Sequence, residues 1–136
     1  MTVPSIEKIL IVDDDEDTLN IVKYCLEDIS GIETIYAISG EEAIHKALDQ
    51  KPSLIVLDIM MPGMDGVATL QAMKLIPSLA SIPVIFFTAD VEESHMMHYL
   101  SLGALGAITK PFDPLTFYNQ ITNLWDKYQI AIKKPN

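Results

Sequence analysis

LIVLDIMMPGMDG (residues 54–66) opens with four aliphatic residues, Leu54 to Leu57, the composition of a strand covered on both faces. It runs straight into Asp58, a charge that is costly to bury. Two methionines of this stretch, Met60 and Met61, then lead into Pro62 and Gly63, residues that turn a chain. A strand that could be pure core therefore ends in a carboxylate, and the other strands explain why.

Short apolar runs recur as KILIV (8–12), TIYAI (34–38), VIFF (84–87) and AIT (107–109). Helix patterns separate them. Leu19, Val22, Leu26 and Ile29 recur at spacings of three and four, one apolar face of a helix. SGEE (39–42) is a capping box in which Ser39 accepts from the backbone of Glu42 and Glu42 reaches back. Ala43, Ala47 and Leu48 then face inward. Gly66 precedes VATLQAMKLI, which stops before Pro77. Glu92 to Leu102 reads as a weaker helix. Asp113 is an N-cap with Pro114 at the first helical position, and Phe117, Ile121, Leu124 and Tyr128 form the stripe of a last helix. Alternating strands and helices give an α/β, doubly wound parallel sheet with right-handed crossovers. The 136 residues fit one domain, 1–136, with its core at about 6–128 and a tail at 129–136.

Asp and Glu total 19 against 9 Lys and Arg, a formal charge of −10 that repels nucleic-acid phosphates and anionic membranes. No direct nucleic-acid contact is expected. No apolar stretch approaches the roughly 18 residues that span a bilayer, and MTVPSIEK lacks the pattern of a secretory signal. The expected protein is cytoplasmic and not inserted in a membrane. Cys25 is the single cysteine and cannot form an internal disulfide. Within its apolar pattern it reads as a core residue.

Ligands of a doubly wound sheet bind beyond the carboxyl ends of the strands. The first run ends in Asp13, Asp14 and Asp15, the third in Asp58, the fourth in Thr88 and the fifth in Lys110. Each has a bland reading alone: a helix cap for the aspartates and the threonine, a turn for Asp58, a surface position for Lys110. Together they put carboxylates, a hydroxyl and an ammonium on one rim. Clustered carboxylates repel one another, and a hard divalent cation such as Mg²⁺ relieves this. Metal, lysine and hydroxyl around a carboxylate then suit a tetrahedral anion. A phosphoryl group transferred to Asp58, as an acyl phosphate, would be met by the metal, Lys110 and Thr88.

ILIVDDDEDTL, LIVLDIMMPGMDG, FFTA and GAITKPF, taken in order and spacing over about residues 6–128, resemble the receiver domain of bacterial response regulators. The resemblance implies a flavodoxin-like, five-stranded sheet of order 2-1-3-4-5 with five helices. It implies that a histidine kinase or histidine phosphotransfer protein phosphorylates Asp58. It implies that Asp14, Asp58 and the Met60 backbone carbonyl ligate Mg²⁺, with Asp13 acting through water. Thr88 and Lys110 would contact the phosphoryl group, the Lys110–Pro111 peptide would be cis, and Ala89 would leave the approach open. Gly63 and Gly66 would shape the loop after Asp58. A downstream protein would read the face of the fourth helix, fifth strand and fifth helix. The chain would catalyse only its own aspartyl phosphorylation and dephosphorylation.

One position departs from the family pattern. The family commonly places Tyr or Phe three residues before the lysine, and here that residue is Ala107. Movement of Thr88 would then be read by the fourth helix, through Met96, Met97 and Tyr99. Met60 and Asp90 flank the expected pocket, where they could tune attack of water on the acyl phosphate. His95 and His98 lie three apart but lack a third ligand and read as a solvated face. Met96 and Met97 read first as packing, and Trp125 as an anchor of the last helix.

Three other functions compete. A haloacid-dehalogenase-type phosphatase needs a second aspartate where Met60 stands. A flavodoxin needs a hydroxyl-rich first loop where DDDEDT stands. A phosphorylation-independent receiver-like interaction module would usually lack one of the acidic residues, all of which are present here.

Overall fold

The computed structural model describes residues 5–89 and 92–133. β1 (Lys8–Val12), β2 (Glu33–Ala37), β3 (Leu54–Asp58), β4 (Val84–Thr88) and β5 (Gly106–Thr109) form one parallel sheet in the order β2-β1-β3-β4-β5. The helices are α1 (Glu16–Lys23), α2 (Gly40–Gln50), α3 (Gly66–Lys74), α4 (Glu93–Ser101) and α5 (Phe117–Lys133). This is the flavodoxin-like architecture expected, with the strand order reversing beside β1.

Every residue of β3 and β4 is buried, because helices cover both faces of the central strands. Alternation of side chains divides the core in two. Leu10, Val12, Ile55, Leu57 and Phe86 pack with residues of α2, α3 and α4. Ile9, Ile11, Leu54, Val56, Ile85 and Phe87 pack with residues of α1 and α5. Each such side chain contributes roughly 1.5–3 kcal/mol by leaving water. These two layers hold the strand ends in fixed register. Val12 pairs with Leu57, Asp58 with Phe87, and Thr88 with Thr109.

Several local expectations are corrected. α1 continues as a π-helical turn, Tyr24–Ile29. The wider turn keeps Cys25 and Leu26 in the core but rotates Ile29 outward, to 49% exposure. Leu48 lies one step past the Ala43–Ala47 line and is 42% exposed. Ser39 accepts from the Glu42 N–H at 3.1 Å, as a capping box requires, but Glu42 Oε1 accepts from the Ile38 N–H at 3.3 Å, one residue before the cap. Asp113 Oδ1 accepts from the Leu115 N–H at 2.9 Å and caps a turn, so α5 begins only at Phe117. α5 buries Phe117, Ile121, Trp125 and Gln129, while Leu124 and Tyr128 flank that line half-buried. The helix runs on to Lys133, beyond the end of the stripe read from sequence.

Candidate functional site

The register leaves Asp13 and Asp58 as the next residues on adjacent central strands. Asp13 is still in the ladder, its N–H donating to the Ala37 carbonyl at 3.0 Å. Its Oδ1 accepts from the Asp15 N–H at 2.9 Å and starts the turn into α1. Asp15 then caps α1, accepting from the Asp17 N–H at 3.0 Å and the Thr18 hydroxyl at 3.1 Å. The acidic run therefore divides its work: Asp13 and Asp14 at the site, Asp15 at the helix end.

Asp58 is 3% exposed, and its Oδ1 accepts from the Met60 N–H at 3.2 Å. Lys110 Nζ donates to Asp13 Oδ2 at 2.7 Å and lies 3.3 Å from Asp58 Oδ2. The Lys110 N–H donates to the Thr88 carbonyl at 2.7 Å, which ties the lysine to the end of β4. The following Lys110–Pro111 peptide is cis. Thr88 is itself buried at the end of β4, one residue beyond the ladder partner of Asp58. One oxygen each of Asp13, Asp14 and Asp58 lies within 4.8 Å of the others, a spacing that a metal ion could bridge. Oxygen-only donors of this kind suit a hard cation.

Burial and the neighbouring charges act together on the protons of the site. Burial, and then the nearby charge of Asp13, push the Asp58 carboxyl up to about 6, while Lys110 and the Met60 N–H pull it back. Burial works against the Lys110 ammonium, but the bond and charge of Asp13, then those of Asp58, outweigh it and hold its pKa above the ordinary lysine value. In the absence of a cation the site carries more negative charge than one lysine offsets.

The structure thus joins Asp13, Asp14, Asp58 and Lys110 and sets Thr88 on the adjoining strand end. Met60 offers its N–H to Asp58 while its side chain stands 75% exposed. Asp90 lies outside the described residues. Three features escaped the sequence reading. Asp65 caps α3, accepting from the Ala68 N–H at 2.8 Å. Gly66 meets the end of β3 at very close range. The Phe87 ring lies under the lysine, with Lys110 Nζ 4.8 Å from its centroid. The position of Phe87 just before Thr88 was the available signal, but an aromatic in an apolar run reads first as core.

Residues 9–122 match the profile of the response regulator receiver domain, and the chain belongs to that family. It is 38% identical over 125 residues to the alkaline phosphatase synthesis transcriptional regulatory protein PhoP of Bacillus subtilis, covering 92% of this chain and 51% of that protein. It is also 38% identical, over 106 residues, to the phosphate regulon transcriptional regulatory protein PhoB of Pseudomonas aeruginosa, covering 78% of this chain and 46% of that one. The chain spans about half the length of these curated relatives. Among solved structures it resembles the Vibrio cholerae chemotaxis protein CheY4, with a TM-score of 0.81 and 28% identity, covering 88% of this chain and 99% of that one. The receiver domain of a Syntrophus aciditrophicus signal transduction histidine kinase matches with a TM-score of 0.76 and 31% identity, over 96% and 95% of the two chains. The chain is a receiver domain of the two-component response-regulator class, with the acidic cluster and fold of a phosphoacceptor module. Among the described residues no helix is long and apolar enough to cross a membrane.

Proposed function

We propose that Asp58 is the phosphoacceptor of a cytoplasmic receiver domain spanning 1–136, phosphorylated by a histidine kinase or histidine phosphotransfer protein. The observation that carries this is a buried Asp58 whose carboxylate shares the Lys110 ammonium with Asp13, within one cluster of three carboxylates. Asp14 and Asp58, with the Met60 carbonyl, would hold Mg²⁺ directly, and Asp13 through water. The bound ion would neutralise charge on the phosphoryl oxygens.

The chain's own residues supply position. A carboxylate oxygen of Asp58 forms the new bond to phosphorus as the bond between phosphorus and the donor imidazole breaks, and the electron pair leaves with the imidazole. Met60 N–H holds the other carboxylate oxygen at Oδ1, which orients the nucleophile. Lys110 moves from its carboxylate partners toward a phosphoryl oxygen, and the Thr88 hydroxyl meets another. Apart from this self-phosphorylation and the later hydrolysis by water, the chain performs no catalysis. The new anion biases the β4–α4 region, and a protein partner reads the α4, β5 and α5 face. The net charge of −10 favours proteins over nucleic acid as direct partners of this span.

Incubation with Mg²⁺ and a small phosphodonor, followed by intact mass, tests the reading on wild type and Asp58→Asn. One phosphoryl group on wild type and none on the variant is expected. Equal labelling of both proteins would remove Asp58 from the mechanism.

A further inference from the structure

Among the described residues the Lys110 ammonium meets Asp13 at 2.7 Å, Asp58 at 3.3 Å and, third, the face of the Phe87 ring at 4.8 Å from its centroid. The first two are directional, charge-assisted contacts to carboxylates. The third asks only that the cation stay over the ring face, within about 6 Å of its centroid, rather than in line with one acceptor atom. Phe87 is fully buried and held by Phe112 and Phe117, whose ring centroids lie 5.3 and 5.6 Å from its own. Those two rings pack against each other at 4.5 Å. Phe87 is also the ladder partner of Asp58, so the ring is fixed relative to the nucleophile through one pair of strands.

We propose that Phe87 is a positioning residue: its ring face keeps the Lys110 ammonium at the rim while the carboxylate partners of that ammonium change. The inference rests on the phosphoacceptor reading of Asp58. As a phosphoryl group joins Asp58, one carboxylate oxygen becomes an ester-like oxygen and accepts less well. The ammonium must leave that geometry for a phosphoryl oxygen without being lost to solvent. A ring face permits this shift, because it attracts the cation over the whole face within about 6 Å of the centroid instead of fixing it along one donor–acceptor line. A leucine at position 87 would fill space but offer no negative surface to the cation. In the sequence Phe86 and Phe87 both read first as core, so the place of Phe87 beside Thr88 does not by itself announce this role. Strand alternation sends Phe86 to the opposite layer.

Replacement of Phe87 by mono-, di- and trifluorinated phenylalanine tests the proposal, because fluorination weakens the negative ring face while nearly keeping the ring's shape. The first measurement needs no donor: the order of the Lys110 ε-methylene by ¹³C relaxation. Order should fall stepwise along the series, and the same series at Phe86 should leave it unchanged. The second is the rate of Asp58 phosphorylation by a small phosphodonor with Mg²⁺, expected to be about fivefold lower for the most fluorinated ring, as befits a partly desolvated cation–π contact. Phe87→Leu should lower both readings, and its thermal melt separates that loss from unfolding. Unchanged Lys110 order across the Phe87 series overturns the proposal. Order that falls in a wild-type background that never accepts phosphoryl would overturn the function while leaving the cation–ring contact standing.

Discussion

A Cβ on Gly66 would stand 2.3 Å from the backbone oxygen of Asp58, so α3 begins pressed against the last residue of β3. The same atom would lie 2.7 Å from Ile59 Cα, and the Gly66 N–H donates to the Ile59 carbonyl at 2.9 Å. The next nearest atom, the Asp58 carbonyl carbon at 3.0 Å, is backbone like the other two, so no side chain can swing aside. Gly66→Ala should cost about 1–3 kcal/mol, the range for overpacking. It should also slow phosphorylation by about tenfold or more, because displacement of a nucleophile on the ångström scale is expensive. Urea denaturation and the labelling rate check the two effects. A variant with native stability and rate would show that α3 backs away freely.

The raised carboxyl of Asp58 makes a signed prediction for the metal-free protein. Folding raises this pKa from 3.8 to about 6, so the folded chain holds the proton more tightly than the unfolded chain. The resulting stabilisation is fully present below about pH 4 and is lost as pH rises through about 6. At most about 3 kcal/mol is involved, at 1.36 kcal/mol per pKa unit. The raised Lys110 pKa contributes stability that is fully present across this window and is lost only as pH rises past the ordinary lysine value, so it does not change the slope here. In chelator, wild type should therefore lose stability relative to Asp58→Asn between pH 4 and 7. Mg²⁺ at 100 times its Kd should return about 2.7 kcal/mol to wild type at pH 7. Parallel pH curves for the two proteins in chelator would be the contrary result.

Charge around the rim should govern which donors reach it. Asp14, Asp15, Glu16 and Asp17 are exposed on the loop and first turn after β1, Asp65 after β3 and Asp113 after β5. Lys110, half-buried and shared by two carboxylates, offers little to offset them. A small anionic donor is repelled by this rim, whereas a protein donor with a basic docking surface is steered toward it. Raising salt shortens the Debye length from about 10 Å at 0.1 M to about 3 Å at 1 M. Labelling by the small donor should rise severalfold with salt at fixed Mg²⁺, and labelling by a basic-surfaced phosphotransfer protein should fall. Identical salt slopes for both donors would remove steering from the account.

Strand identity was open to reading because pure aliphatic runs of this length have few other uses, and Asp13, Asp58, Thr88 and Lys110 followed directly from where those runs stop. The misses have local causes. The π-helical turn at Tyr24–Ile29 begins after Leu19 and Val22 have matched a helical face and still buries Leu26, so Ile29 looked like a fourth match. Asp113-Pro114 carries a helix-start signal, yet the Asx-type turn it forms delays α5 to Phe117. Gly66 read as a loop glycine because its real constraint, the carbonyl of Asp58, is set by tertiary packing. Phe87 shares this cause: a ring in a buried strand reveals the cation on its face only once β5 is in place.

The position where the family commonly carries an aromatic is Ala107, which pairs in register with Phe86. Tyr99 of α4, 8% exposed, packs edge-on to Phe86 with ring centroids 5.3 Å apart and an interplanar angle of 65°. Ring volume in this layer therefore comes from α4, and Thr88 lies two residues along the same strand from Phe86. Tyr99→Ala should cost about 3 kcal/mol, as large-to-small core changes do. Ala107→Tyr alone should cost about 1–3 kcal/mol by overpacking. Combined, the two changes exchange a large residue for a small one across one cluster, so their coupling should exceed about 1 kcal/mol in the favourable direction. The same pair tests the switch. A fluoroberyllate phosphoryl mimic with Mg²⁺ should move amide signals from Thr88 into α4 in wild type, and much less in Tyr99→Ala. Amide signals of α4 that stay fixed in wild type would show that α4 is not where the phosphoryl group is read.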